Sequence, residues 1–199
     1  MTRSAPLLAA VLALGLGPVE KTSWDFENDE PGKAALGFTG LVGRWEATRD
    51  GPARVLAQLA ASDDDTFNLA LADKPGARDL DLRVRLKAVS GENDRGGGLV
   101  WRAKDARNYY VARYNPLEDN FRVYKVEAGK RTMLKGAKVP GDGQWHTMRV
   151  TMKGTKIACY LDGKLHLEAE DATFPEAGKV GVWTKSDAKS YFDDLTLDE

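Results

Sequence analysis

From residue 79 onward the chain alternates apolar and polar residues with a period of two. In Asp79–Lys87, the residues Leu80, Leu82, Val84 and Leu86 fall on one side and charges on the other. That is the pattern of a strand that walls a core on one face. His146, Met148, Val150 and Met152 repeat it, as do Ile157, Cys159 and Leu161, then Leu165 and Leu167 after Asp162-Gly163. Asp-Gly between two alternating runs predicts a two-residue hairpin turn with positive φ at both positions. Gly97–Ala103, Asn108–Asn115 and Asn120–Glu127 predict a meander, turned at Lys104-Asp105 and Asn115-Pro116. Val180, Val182 and Thr184 predict a short strand, and Tyr191, Asp193, Leu195 and Leu197 share one parity on a last one. Pro116, Pro140 and Pro175 fall between the runs, where no ladder donor is lost. Short strands at this spacing, without helical periodicity or internal repeat, predict an all-β sandwich or barrel, and a single sandwich domain is the reading adopted.

The N-terminal segment follows another pattern. Thr2-Arg3 is a short positive start, and Ala5 to Leu16 is apolar apart from Gly15. A run of about a dozen residues is too short to span a bilayer and reads as an export signal. The expectation is a leader over residues 1–17, a single domain over 18–199, and a periplasmic or secreted location without a membrane span. Composition narrows the chemistry. With 29 Lys plus Arg against 30 Asp plus Glu, the net charge of −1 supplies no field for nucleic acid. One Cys and two His exclude a disulfide framework and a multi-histidine metal centre. No Gly-x-Ser-x-Gly, P-loop or dinucleotide fingerprint occurs. His146 lies on the apolar parity of its run, which predicts a half-buried, satisfied ring, and His166 is expected to be exposed.

Several motifs carry a resemblance. They are Gly97-Gly98-Leu99-Val100-Trp101-Arg102 running on to Asn108–Asn115, Gln144-Trp145-His146 leading to Tyr160-Leu161-Asp162-Gly163, and Gly178–Lys185 with Tyr191–Leu195. Together they resemble the laminin-G-like, concanavalin A-like jelly rolls of secreted bacterial proteins, and within these the 3-keto-disaccharide hydrolase family. The resemblance spans about residues 79–197 and implies an all-β jelly-roll sandwich of two antiparallel sheets whose substrate or ligand is carbohydrate. It departs at Arg95-Gly96-Gly97-Gly98, where the family has Gly-Asn-Ser-Gly. A retaining glucanase on this fold would need two carboxylates on one strand face, and no run here places them so. Gly178 and Gly181 flank Val180 where the two sheets are expected to approach closely, and Trp145 is expected to close one end of the sandwich.

Binding chemistry concentrates in the meander. Arg102, Arg113 and Arg122 fall on successive runs with Tyr110, Tyr124, Asn115 and Asn120. Guanidinium groups donate to sugar hydroxyls, and aromatic rings give flat platforms for a pyranose. The candidate ligand-binding residues are Arg102, Tyr110, Arg113, Asn120, Arg122, Tyr124 and Trp183. Strand parity sets Tyr110 and Arg113 on opposite faces, and the competing reading is a solvated face whose arginines pair with Glu118, Asp119 and Glu127. Glu27 with Asp193-Asp194 are candidate oxygen ligands for a structural calcium; no cofactor is otherwise implied. The leading expectation is a secreted carbohydrate-binding module for an oligo- or polysaccharide, non-catalytic or accessory to catalysis. The alternatives are a glycoside hydrolase acting on 3-keto-disaccharides, which the resemblance implies, and an extracellular protein-binding scaffold.

Overall fold

The computed structural model describes residues 21–74 and 76–199, so the expected leader lies outside the described residues. The described residues form strands and no helix: β1 (Lys21–Trp24), β2 (Phe38–Val42), β3 (Trp45–Asp50), β4 (Ala53–Gln58), β5 (Phe67–Ala72), β6 (Leu80–Ser90), β7 (Gly97–Asp105), β8 (Asn108–Asn115), β9 (Asn120–Glu127), β10 (Lys130–Lys138), β11 (Trp145–Lys153), β12 (Lys156–Leu161), β13 (Lys164–Glu170), β14 (Lys179–Lys185) and β15 (Lys189–Asp198). One sheet has the order β13-β12-β11-β6-β15-β4-β3, with β1 also on β15; the other has β10-β9-β8-β7-β14-β5-β2. The pairing is antiparallel in both sheets. This is the all-β sandwich that the alternation predicts, and the two-sheet jelly roll that the resemblance implies.

The core forms where the predicted apolar faces meet. Leu82, Val84 and Leu86 of β6, with Met148 and Val150 of β11, face Leu99 and Trp101 of β7 and Tyr110, Ala112 and Tyr114 of β8. Both central residues of the β12–β13 hairpin, Asp162 and Gly163, have positive φ of 49° and 78°, as the Asp-Gly pair predicts. Two bulges alter the parity expected beyond them. A register shift opposite Tyr160 leaves Leu165 exposed, buries Leu167 and turns His166 partly inward against Phe121. In β15 the shift after Asp193, with Asp194 at φ 49°, puts Phe192 before it and Leu195 and Leu197 after it on the same core. A bulge inserts one residue, so alternation resumes with opposite sign. Gly178 and Gly181 are required by neighbouring strands of one sheet, not by the opposing sheet. A Cβ on Gly181 would lie 2.1 Å from the Ala70 carbonyl oxygen on β5.

The seven-stranded sheet is apolar on its second face as well. Leu69, Leu71, Val100, Tyr109, Val111, Tyr124, Val126 and Trp183 form a separate buried cluster there. The sheet's curl makes this burial workable. Between β10 and β5 lie four strands, which in a flat sheet would separate them by about 24 Å. Yet the Arg131 guanidinium on β10 is 5.2 Å from the centre of the Phe67 ring on β5. The sheet is therefore strongly concave on this side, and long side chains cross the hollow.

Candidate functional site

The polar end of this concave face is built from the β8–β9 hairpin. Cross-strand pairing sets Asn115 opposite Asn120, Arg113 opposite Arg122 and Val111 opposite Tyr124. Two like charges directly opposite each other repel, so this pairing needs carboxylates nearby, and two are supplied. Glu118, in the loop between the strands, lies 3.4 Å from both Arg113 and Arg122. Asp94, from the loop before β7, lies 2.7 Å from Arg113, and both residues are only 2% exposed. The Asp94 loop is pinned by Asp187, whose carboxylate accepts the backbone N–H of Glu92, Asn93 and Asp94. Asn115 donates to Asp94 and accepts two N–H groups of the β8–β9 loop, and Asn120 donates to Glu118. Burial pushes the Asp94 carboxyl above its usual range, opposed by Arg113. For Glu118, partial burial is outweighed by Asn120 and the two guanidiniums, which hold its carboxyl low.

Four buried polar atoms converge on this face without any hydrogen-bond partner among the described residues: Arg113 Nε, Asn120 Oδ1, Tyr124 Oη and Arg131 Nη1. Native proteins rarely leave such groups unpaired, and a cluster of them calls for an explanation. Arg131 lies over the Tyr124 ring at 4.5 Å and reaches toward Trp183 at 5.8 Å. Beside the cluster a groove of about 360 Å³ runs between β9 and β10, lined by Glu118, Asn120, Arg122, Met133, Gly136 and Lys138 among others. Met133, 57% exposed, gives it an apolar wall. The atoms without partners include donors (both arginines), an acceptor (Asn120) and a hydroxyl able to do either (Tyr124). Such a mixture suits a ligand rich in hydroxyls.

Of the seven sequence-derived candidates, Arg113, Asn120, Arg122 and Tyr124 come together here. The other three do not offer free groups. Arg102 is 1% exposed, and its three nitrogens donate to the carbonyls of Arg78, Phe174 and Gly154, tying three loops at the opposite end of the sandwich. Its φ of 47°, at a bulge in β7, turns it out of the regular alternation. Tyr110 points into the core and stacks on Trp101. Its hydroxyl donates to Asp171 at 2.7 Å, and burial pushes its pKa up to about 12. Trp183 does lie on the concave face, but beneath Arg131 and bonded to Tyr109. Glu27 and Asp193-Asp194 are engaged within the protein. Arg85 lies 3.6 and 3.2 Å from Asp193 and Asp194, and Glu27 accepts the Arg54 backbone N–H. No three metal-ligating side chains gather among the described residues.

Trp145 covers the outer face of the eight-stranded sheet, with its ring under Arg85 at 4.9 Å and its N–H donated to Asp50, so it does not close an end. His146 is half-buried and satisfied, as its parity predicts: it packs on Tyr114, with Asp162 at Nδ1 (2.7 Å) and Asp142 at Nε2 (2.8 Å). Asp94, Arg131 and Met133 are site residues that the sequence reading does not reach. Asp94 precedes a run of three glycines that reads as a plain loop. β10 alternates weakly because it is an edge strand wetted on both sides. Its one local signal is Ala128-Gly129, both at positive φ, a two-residue turn after β9.

The profile of the 3-keto-alpha-glucoside-1,2-lyase-like domain matches residues 24–198. A levanase of Bacillus subtilis (strain 168) is 29% identical over 164 residues, covering 80% of this chain and 22% of the relative. The chain therefore spans about a fifth of that protein. Among solved structures, the carbohydrate-binding module CBM66 from Bacillus subtilis superposes with a TM-score of 0.72 at 23% identity, over 86% of this chain and 99% of the module. The GH43 protein BlXynB (mutant K247S) of Bacillus licheniformis gives 0.66 at 16% identity, over 89% of this chain and 39% of that one. These structures share the fold.

Proposed function

The chain belongs to the 3-keto-alpha-glucoside-1,2-lyase-like domain family, and on that premise we propose that it is an exported saccharide-binding module, accessory to catalysis. The observation that carries this reading is the set of four buried, partnerless polar atoms on one concave face. A ligand with hydroxyls on neighbouring carbons would satisfy donors and acceptor together, and Met133 would pack on its C–H face. Arg122 and Lys138, on the open groove, would bond the outward side of the sugar. Export is supported by the apolar leader pattern at residues 5–16, and no helix among the described residues is long and apolar enough to cross a membrane.

The test is titration of the full chain against neutral and acidic polysaccharides, levan among them because the curated relative is a levanase. Binding is expected in the panel, weakened about tenfold by Asn120→Ala through one lost hydrogen bond. Silence across the panel, or an Asn120→Ala variant that binds like the parent, refutes the proposal. A second, enzymatic reading rests on one observation: Asp94 is pushed up and Glu118 held down on either side of Arg113. Environments that drive two carboxyls apart are how acid and base roles are assigned. Elimination products from a 3-keto-glucoside, lost in Asp94→Asn, would establish it.

A further inference from the structure

Among the described residues, Arg131 is the one guanidinium of this face with no carboxylate within 4.0 Å, and its buried Nη1 donates to nothing. Arg113 and Arg122 each share Glu118, and Arg113 holds Asp94 as well. Arg131 instead rests on the rings of Tyr124, Phe67 and Trp183. Stacking accommodates a cation but leaves its N–H groups unused. Arg113 is close enough for Arg131 to feel its charge: desolvation lowers the Arg131 pKa most, Arg113 lowers it further, and Tyr124, Asp94 and Glu118 offset this only in part. Each of the two carries one buried N–H without an acceptor. Lys138 on the groove and Lys185 near Asp94 add positive charge; the further carboxylates there are Asp119, already accepting the Gly141 N–H, and Asp187, already accepting the N–H groups of the Asp94 loop, so cations still outnumber carboxylates. The face therefore keeps an excess of positive charge directed at the partnerless atoms. A neutral hydroxyl would fill the acceptor role but leave the repulsion between the guanidiniums in place. An anionic oxygen would do both, and arginine's planar fork matches a carboxylate.

We propose, building on the saccharide-binding reading, that the sugar recognised on this face carries a carboxylate, as a uronic acid residue does. Its carboxylate oxygens accept from Arg131 Nη1 and Arg113 Nε, while Tyr124 and Asn120 take ring hydroxyls.

The experiment is calorimetric titration of the full chain with methyl glycosides paired to differ only at C6: glucuronate and glucose, galacturonate and galactose, mannuronate and mannose. The acidic member of at least one pair is expected to bind about tenfold tighter, as a charge-assisted bond exceeds a neutral one. That ratio should fall toward one in Arg131→Gln. Tyr124→Phe should weaken both members alike and keep the ratio. Equal binding of acid and neutral members overturns the carboxylate assignment and leaves the saccharide site standing. An acid preference undiminished in Arg131→Gln overturns it too, by placing the anion elsewhere. If no member of any pair binds, the carboxylate assignment fails, and the saccharide reading stands or falls on the polysaccharide panel.

Discussion

Replacing Tyr124 by Phe separates what the fold needs from what a ligand needs. The phenol oxygen is buried and has no hydrogen-bond partner, while its ring packs in the apolar cluster of the concave face with Arg131 stacked over it. Phe keeps the ring and removes the oxygen. A buried hydroxyl without a partner costs about 1–3 kcal/mol relative to its solvated state. Its removal should therefore stabilise the protein by about 1 kcal/mol, which raises the Tm of a domain this size by about 2–4 °C. The same substitution deletes a hydrogen bond to the proposed sugar and should weaken binding about tenfold. Opposite signs from one atom are the signature of a group held ready for a ligand. Thermal unfolding and saccharide titration on the same preparation read both. A fall in Tm would show that the oxygen is satisfied within the protein, and the inference from partnerless atoms would collapse.

Arg102→Met should behave in the contrary way: three backbone carbonyls lose their donor, stability drops by about 3 kcal/mol or more, and saccharide affinity of the folded fraction stays unchanged. A loss of affinity without loss of stability would return Arg102 to the binding site. His146 has a carboxylate on each ring nitrogen; its partial burial opposes the charge, but Asp162 and Asp142 hold its pKa above the ordinary 6.5. A raised folded-state pKa means this stabilisation is complete below pH 6.5 and fades as pH rises through the higher folded value. The Tm decline above pH 6.5 should therefore shrink in His146→Gln. Burial, reinforced by Asp194 and Glu27, pushes the Asp193 carboxyl up to about 6. Its ionisation should therefore cost stability as pH climbs from about 4 to about 6. Asp193→Asn should remove that decline and raise Tm at pH 8, and an unchanged pH profile would refute the assignment.

Much of the sandwich is visible in the alternation because most strands show one wet face and one dry face. Leu80 to Leu86 and Met148 to Met152 needed no further information. Parity fails where a bulge adds a residue, at Asp194 and opposite Tyr160, since the backbone φ that makes a bulge leaves little trace in residue type. The same limit explains Arg102, whose placement depends on an unusual φ. The site was half legible. Arg113, Arg122, Asn120 and Tyr124 lie at alternate positions of one hairpin, so their common face follows from period two alone. Arg131 reaches the same face through the β9–β10 hairpin, where weak alternation hides its parity, and Asp94 through a loop pinned by Asp187, a relation that is not local in sequence. Arg113 and Arg122 also show how two competing expectations can both hold. They pair with carboxylates, as a bland surface would, and still leave a donor over.

The position of β15 has a consequence for how the molecule comes into being. This strand is inserted between β6 and β4 and also carries β1, so the eight-stranded sheet has no direct hydrogen-bonded seam joining β13-β12-β11-β6 to β4-β3 without it. Lys21 pairs with Asp198, which closes the sandwich from its first described strand to β15 into one loop. Contacts of such long sequence separation must await most of the polypeptide and make folding slow. On the ribosome the first sheet stays in two unjoined pieces until β15 emerges. A nascent domain of this kind stays open, with its apolar faces uncovered, until β15 is made.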